Sequence, residues 1–248
     1  MVNSVLRRIW RKLYFNFCVH YKPVPTLRLG SEYGGWTIPA DIIDSQSICY
    51  LAGAGLDISF DLELASHYKC QVHVFDPTPR AEQHYQDLKE HVDSSRMMRY
   101  KEGIYSISKE DFKYVSYHSL GLWDKDDVVK FYFPKNREHV SHSVVNLQQT
   151  DEFFEAKVVT LKSAMSQLNH STIDLLKLNI AGAEYEVIPT VLDSQTEIPI
   201  FCVRYEELHH AKDLGFMNRI HRSMKMVKNA GYKIVAIDSC YNITFLKS

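Results

Sequence analysis

Short apolar runs alternate with longer amphipathic stretches along most of this chain. Residues 47–52 read as a strand buried on both faces that ends in glycine, and residues 60–69 as the helix after it. Residues 72–75 predict a second strand, stopped by the Asp-Pro-Thr-Pro run at 76–79, and residues 80–92 a second helix. A third strand is expected over 115–120, with 128–133 pairing beside it as a hairpin through the polar turn 124–127. Further strand patterns fall at 158–161, 173–178 and 200–205, and helical ones at 184–192 and 217–230, the last ended by Gly231. The segments 233–237 and 243–246 are too close for a helical crossover, so they run antiparallel to each other. The alternation implies an α/β fold: a mainly parallel seven-stranded sheet with one antiparallel strand and helices on both faces. Residues 1–40, punctuated by Pro23 and Pro25, read as a leader, and 41–248 as the domain.

Composition changes this picture little. The 248 residues are 45% hydrophobic and 24% charged, as in ordinary globular proteins, and a net charge of -1 gives no global attraction for nucleic acid. No apolar stretch approaches a membrane span. The five cysteines are odd in number and include no C-x-x-C pair, which fits a reducing, cytoplasmic setting. Within residues 5–14, four cations interleave with apolar residues at helical spacing. The plain reading is a helix packed on the domain; the sharper one is a basic amphipathic helix lying on an anionic membrane surface.

The chemistry concentrates where the first strand ends. Gly53, Ala54 and Gly55 lie between a buried strand and a helix, where glycine permits a tight turn and close approach to a ligand. Asp76 stands 21 residues after Gly55, at the next strand end, the spacing at which a carboxylate receives ribose hydroxyls. A dinucleotide site usually has a third glycine near the pyrophosphate; here Asp57 lies near that place, and an acid repels phosphate. S-adenosylmethionine carries an ammonium and a sulfonium and no phosphate. Asp57 therefore favours that cofactor over NAD. His139 and His142 have metal-like spacing but no matching Cys, Asp or Glu pair, so no metal is expected there. Glu184 and Glu186 read as solvated acids at a helix start.

Three blocks resemble the FkbM-type methyltransferases: the run from Tyr50 to Asp61, the run from Val72 to Pro79, and Leu175-Leu176-Lys177-Leu178-Asn179-Ile180-Ala181-Gly182-Ala183-Glu184-Tyr185-Glu186-Val187-Ile188. The last follows the family's "LLKxDxEGAExEVL" pattern in register. Residues 29–36 resemble a leader of a bacterial branch, and residues 203–210 that branch's "VEFHH" strand end. The resemblance implies a Rossmann-like class I methyltransferase that moves a methyl group from S-adenosylmethionine to an oxygen, often a sugar or glycan hydroxyl. Gly53, Ala54, Gly55, Asp57, Asp76, Pro77 and Thr78 would hold the cofactor, with Gly121 and Leu122 at the end of the third strand beside its adenine. Asn179, Glu206, His209 and His210 fall at strand ends on the acceptor side, with His209 or His210 as base. Trp123 reads equally as a wall or as core, and Gly34, Gly35 and Trp36 as a lid or as a packed turn. Asn179 and Ala181 replace an Asp and a Glu of the family pattern, and Leu51 and Ala52 replace an acid near the glycine turn. These departures motivate an alternative: a cofactor-binding protein that has lost catalysis and serves interaction or regulation.

Overall fold

The computed structural model describes residues 9, 11–15, 24–92, 98–100, 103–105, 107–135, 142–146 and 149–248. Strands β1 (Thr26–Leu29) and β2 (Trp36–Pro39) form an antiparallel hairpin within the leader. There follow β3 (Ile48–Ala52), α1 (Ser59–Tyr68), β4 (Gln71–Phe75), α2 (Pro79–His91), and a small pair β5 (Met98–Tyr100) and β6 (Gly103–Tyr105). Next come α3 (Lys109–Phe112), β7 (Val115–His118), β8 (Gly121–Leu122), β9 (Asp127–Tyr132), β10 (Phe153–Val159) and α4 (Leu161–Gln167). The chain continues with β11 (Leu175–Leu178), α5 (Glu184–Asp193), β12 (Ile200–Val203), α6 (Phe216–Asn229), β13 (Tyr232–Ile237) and β14 (Ile243–Lys247).

Seven strands form the central sheet in the order β13-β14-β12-β11-β3-β4-β7. All run parallel except β14, which is antiparallel to both of its neighbours. The mainly parallel seven-stranded sheet with one antiparallel strand is thus as the pattern predicted. Each strand feeds both faces, because successive side chains point to opposite sides. Along β3, Tyr50 and Ala52 enter a core with Val187 and Ile188 of α5 and Met224 of α6. Cys49 and Leu51 enter the opposite core with Leu62 of α1 and Leu88 of α2. This two-sided burial is why these strands read as continuous apolar runs.

The expected hairpin of residues 115–133 does not form. Strand β9 pairs with β10, and β8 with the far end of β10, in a separate three-stranded sheet. Gly121 and Leu122 therefore belong to this second sheet rather than to the end of the third strand. Trp123 packs against the core and does not line the cleft described below.

The leader hairpin is seated on β14 and the turn that precedes it. Arg28 pairs with Asp238 at 3.0 Å, Asn242 donates to the Gly35 carbonyl at 3.1 Å, and Thr244 to the Thr37 carbonyl at 2.7 Å. Of the basic segment 5–14, residues 9 and 11–14 are described; the rest lies outside the described residues. Arg11 donates to the Leu208 carbonyl and stacks on Tyr241, and the Tyr14 hydroxyl meets His221. Among the described residues no helix is long and apolar enough to cross a membrane.

Candidate active site

The carboxyl ends of β3, β4, β11 and β12 open into one cavity of about 290 Å³. This is where open parallel sheets receive ligands. Gly53 leaves β3 at φ +87°, and a Cβ there would stand 1.9 Å from the Asn179 carbonyl oxygen. The glycine is thus required by the neighbouring strand end rather than by a ligand. It lets the β3 and β11 termini converge and brings Asn179 to the cavity wall.

Asp76, buried at the end of β4, accepts four hydrogen bonds. Its Oδ2 takes the Ala54 and Gly55 N–H groups at 2.9 and 3.1 Å, and its Oδ1 takes the Thr78 N–H and hydroxyl at 2.9 and 2.6 Å. A carboxylate offers about four lone-pair sites. Asp76 therefore acts first as a clamp on the glycine turn, which sequence spacing alone did not indicate. Its clamp also withdraws the turn's N–H groups from the cavity, where a pyrophosphate would need them.

Asp57 stands just before α1, where the helix dipole favours an anion. It accepts the Ser59 N–H at 3.0 Å and the Ser31 hydroxyl at 2.6 Å. Ser31 in turn accepts the Gly34 N–H at 2.8 Å, and Glu63 accepts the Gly30 N–H at 2.7 Å. A Cβ on Gly34 would stand 2.4 Å from the Asp57 carboxyl carbon, so the leader turn lies directly on that carboxylate. Gly34 and Trp36 border the cavity, and Trp36 is buried against Phe60.

Phe75, Pro77, Thr78, Gly121 and Leu122 line the same end of the cavity. A Cβ on Gly121 would meet Val158 at 3.0 Å and Phe131 at 3.2 Å, so this glycine serves the packing of the second sheet.

The other side of the cavity is built on β11, β12 and the turn after it. Asn179, Glu206, His209 and His210 all reach the cavity, together with Arg204. The two histidines differ sharply. His210 is exposed, and its Nδ1 lies 2.6 Å from Glu206 Oε1. A carboxylate at Nδ1 holds the proton there and leaves Nε2 as the accepting nitrogen. His209 is largely buried, and its Nε2 has no hydrogen-bond partner. Burial, reinforced by the Arg204 cation, lowers its pKa to about 4, so it is neutral and a weak base. Glu207 faces away from the chemistry in a bidentate pair with Arg219.

Three further groups escaped sequence reasoning. Glu184 is fully buried rather than solvated; burial, then the charge of Glu206, raises its pKa to about 8. Lys177, equally buried, pairs with Asp61 of α1 at 3.0 Å across the sheet. Arg204 has no hydrogen bond to a side chain among the described residues, and its guanidinium lies 5.2 Å from the centre of the Tyr33 ring. Burial and pairing of this kind depend on tertiary neighbours. Only the Lys in the "LLK" run carried a local signal, a cation inside an apolar strand. His142 lines the cavity, whereas His139 lies outside the described residues. Among the described residues no group of three metal-ligating side chains converges.

The family model for the methyltransferase FkbM domain matches residues 53–234. The chain belongs to the FkbM methyltransferase family. The matched region runs from the glycine turn through β12 and its two histidines into β13, and leaves the leader hairpin outside. A comparison with curated proteins returns no match. Among solved structures, a methyltransferase FkbM from Methylobacillus flagellatus KT aligns at 11% identity and a TM-score of 0.46. The alignment covers 82% of this chain and 44% of that one, so this chain spans less than half the length of that relative.

Proposed function

We propose that the chain is an S-adenosylmethionine-dependent O-methyltransferase of the Rossmann-like class I type, acting on a sugar or glycan hydroxyl in the cytoplasm. Residues 1–40 serve as leader and lid, and 41–248 as the transferase domain. The observation that carries the cofactor is the disposition of charge at the glycine turn. Its N–H groups are spent on Asp76, and the acid beside it, Asp57, lines the cavity. Such a site suits an ammonium and repels a pyrophosphate. Phe75, Pro77 and Leu122 offer an apolar wall for an adenine, and Thr78 a hydroxyl for a ribose.

When bound, this cofactor supplies an electrophilic methyl group. The chain's own contribution is to hold an acceptor hydroxyl in line and to remove its proton. His210 is the base: Glu206 fixes its Nδ1–H, and Nε2 takes the proton. His209, held neutral, positions rather than deprotonates. Asn179 is a neutral hydrogen-bonding group for the acceptor.

A second reading rests on the β11 end, where an amide at Asn179 and a methyl at Ala181 leave no ionised acid; there the protein binds cofactor without turnover and regulates a partner. Calorimetric titration of the full chain with S-adenosylhomocysteine and with NAD tests the cofactor. Binding of the first alone is expected, weakened about tenfold or more by Asp57→Asn, as for loss of a charged partner. Binding of NAD alone would overturn the proposal. Retained binding with no methyl transfer to any sugar in a tritium-transfer screen would favour the second reading.

A further inference from the structure

The β12 side of the cavity contains a cation that pairs with no acid among the described residues and that the transfer chemistry above does not use. Arg204 follows β12 and is anchored by its N–H to the Leu178 carbonyl at 2.9 Å. The residue is only 8% exposed, yet it lines the cavity. Its Nε is buried without a hydrogen-bond partner, and Tyr33 of the leader covers its ring-like face at 5.2 Å.

The nearby acids are otherwise engaged. Glu206 bonds His210, Glu207 holds Arg219, Asp76 holds the glycine turn and Asp57 holds Ser31 and Ser59; among the described residues none of them bonds Arg204. Lys177, the other permanent cation at the cavity wall, is already matched by Asp61. A cation held at a cavity wall with no acid bonded to it attracts an anionic ligand.

We propose that Arg204 receives a carboxylate carried by the acceptor, so that the methylated sugar is a uronate. The proposal rests on the methyl-transfer reading above and names its substrate class. Position separates the two ligands. Arg204 lies at the end of β12, with β11 between it and the β3 glycine turn, two strand spacings or roughly 10 Å away. The chemistry selects the anion: a guanidinium presents a planar fork that matches a carboxylate bidentately. With Tyr33 over one face and Nε closed off, the edge formed by the two Nη groups remains for the ligand. Glu206 and Asp57 line the same cavity, so a singly charged carboxylate is repelled less there than a phosphate ester.

The test titrates the full chain, with and without saturating S-adenosylhomocysteine, with glucuronate, galacturonate, glucose and glucose 6-phosphate. At least one uronate is expected to bind about tenfold or more tightly than glucose, as for a charged hydrogen bond gained. Arg204→Met should erase that preference and leave the affinity for S-adenosylhomocysteine within about twofold. Arg204→Lys, which keeps the charge, should retain part of the preference and serves if the Met variant does not fold.

Equal binding of uronates and glucose, binding of neither, or a preference for the phosphate overturns the proposal. So does an Arg204→Met variant that loses S-adenosylhomocysteine, because Arg204 would then belong to the cofactor. A wild-type chain that binds uronate but no S-adenosylhomocysteine upholds the Arg204 site and strikes the methyl-transfer reading instead.

Discussion

Two adjacent histidines have the same chemistry on paper and opposite surroundings in the fold. His210 keeps solvent and a carboxylate; His209 has lost both water and a partner for Nε2. His210→Ala should lower kcat about 100-fold, the usual range for a lost general base, with cofactor affinity retained. His209→Ala should change kcat by about threefold at most, and the reverse ranking in the same assay would exchange their roles. The sequence placed both histidines on the acceptor side but could not divide them, because the difference is one of burial. Gly53 teaches a related lesson. It was read as clearance for a ligand, yet the nearest atom to its missing Cβ is the Asn179 carbonyl oxygen. Gly53→Ala should therefore destabilise the fold itself, by about 3 kcal/mol in urea unfolding, as for severe overpacking. Unchanged stability with lost cofactor binding would return the glycine to its original role.

At the scale of elements, legibility follows how many faces a strand buries. β3, β4, β11 and β12 are covered on both sides, and their apolar runs were plain. β10 is exposed along much of its length, with Glu155 and Lys157 interrupting it, so only its buried end at Val158 and Val159 stood out. β9 was found but given the wrong neighbour, since a polar turn after β7 also permits the hairpin that does not form. The β1 and β2 hairpin was hidden because neither strand is a continuous apolar run: Thr26 and Arg28 interrupt β1, and Thr37 interrupts β2. The link between β11 and α1 is the Lys177–Asp61 pair, invisible to spacing. Asp61→Asn leaves a buried lysine uncompensated and should cost about 3–5 kcal/mol. The double variant Lys177→Met with Asp61→Leu should recover most of it, because an ion pair in a core is often replaceable by apolar residues of like volume. Chemical denaturation of the three proteins decides whether the pair is electrostatic or merely steric.

For the whole molecule, buried titrating groups pull stability in opposite directions. His73, His118 and His170 cluster between β4, β7 and the turn after α4, with His73 Nδ1 3.0 Å from His118 Nε2. Burial lowers all three pKa values, that of His73 to about 4, as it does for His209. The unfolded chain then binds more protons below about pH 6.5, so stability falls as the pH drops from there toward 4. Glu184 has the opposite sign. Its folded pKa of about 8 exceeds the ordinary 4.5, so the folded state holds the extra proton and loses stability as the pH rises between those values, by about 1.4 kcal/mol per unit. Melting temperature should peak at about pH 6–7, and Glu184→Gln should raise it at pH 8 far more than at pH 5. The seating of the leader on the β13–β14 turn adds a consequence in time. Gly35 and its partner Asn242 are 207 positions apart, so at about 5–20 residues per second the leader leaves the ribosome roughly 10–40 s before this partner does. The leader is thus fastened in two stages: its turn finds Asp57 and Glu63 soon after they emerge, whereas β2 waits for Thr244, so a nascent chain holds the leader by its turn alone until the last strand is made.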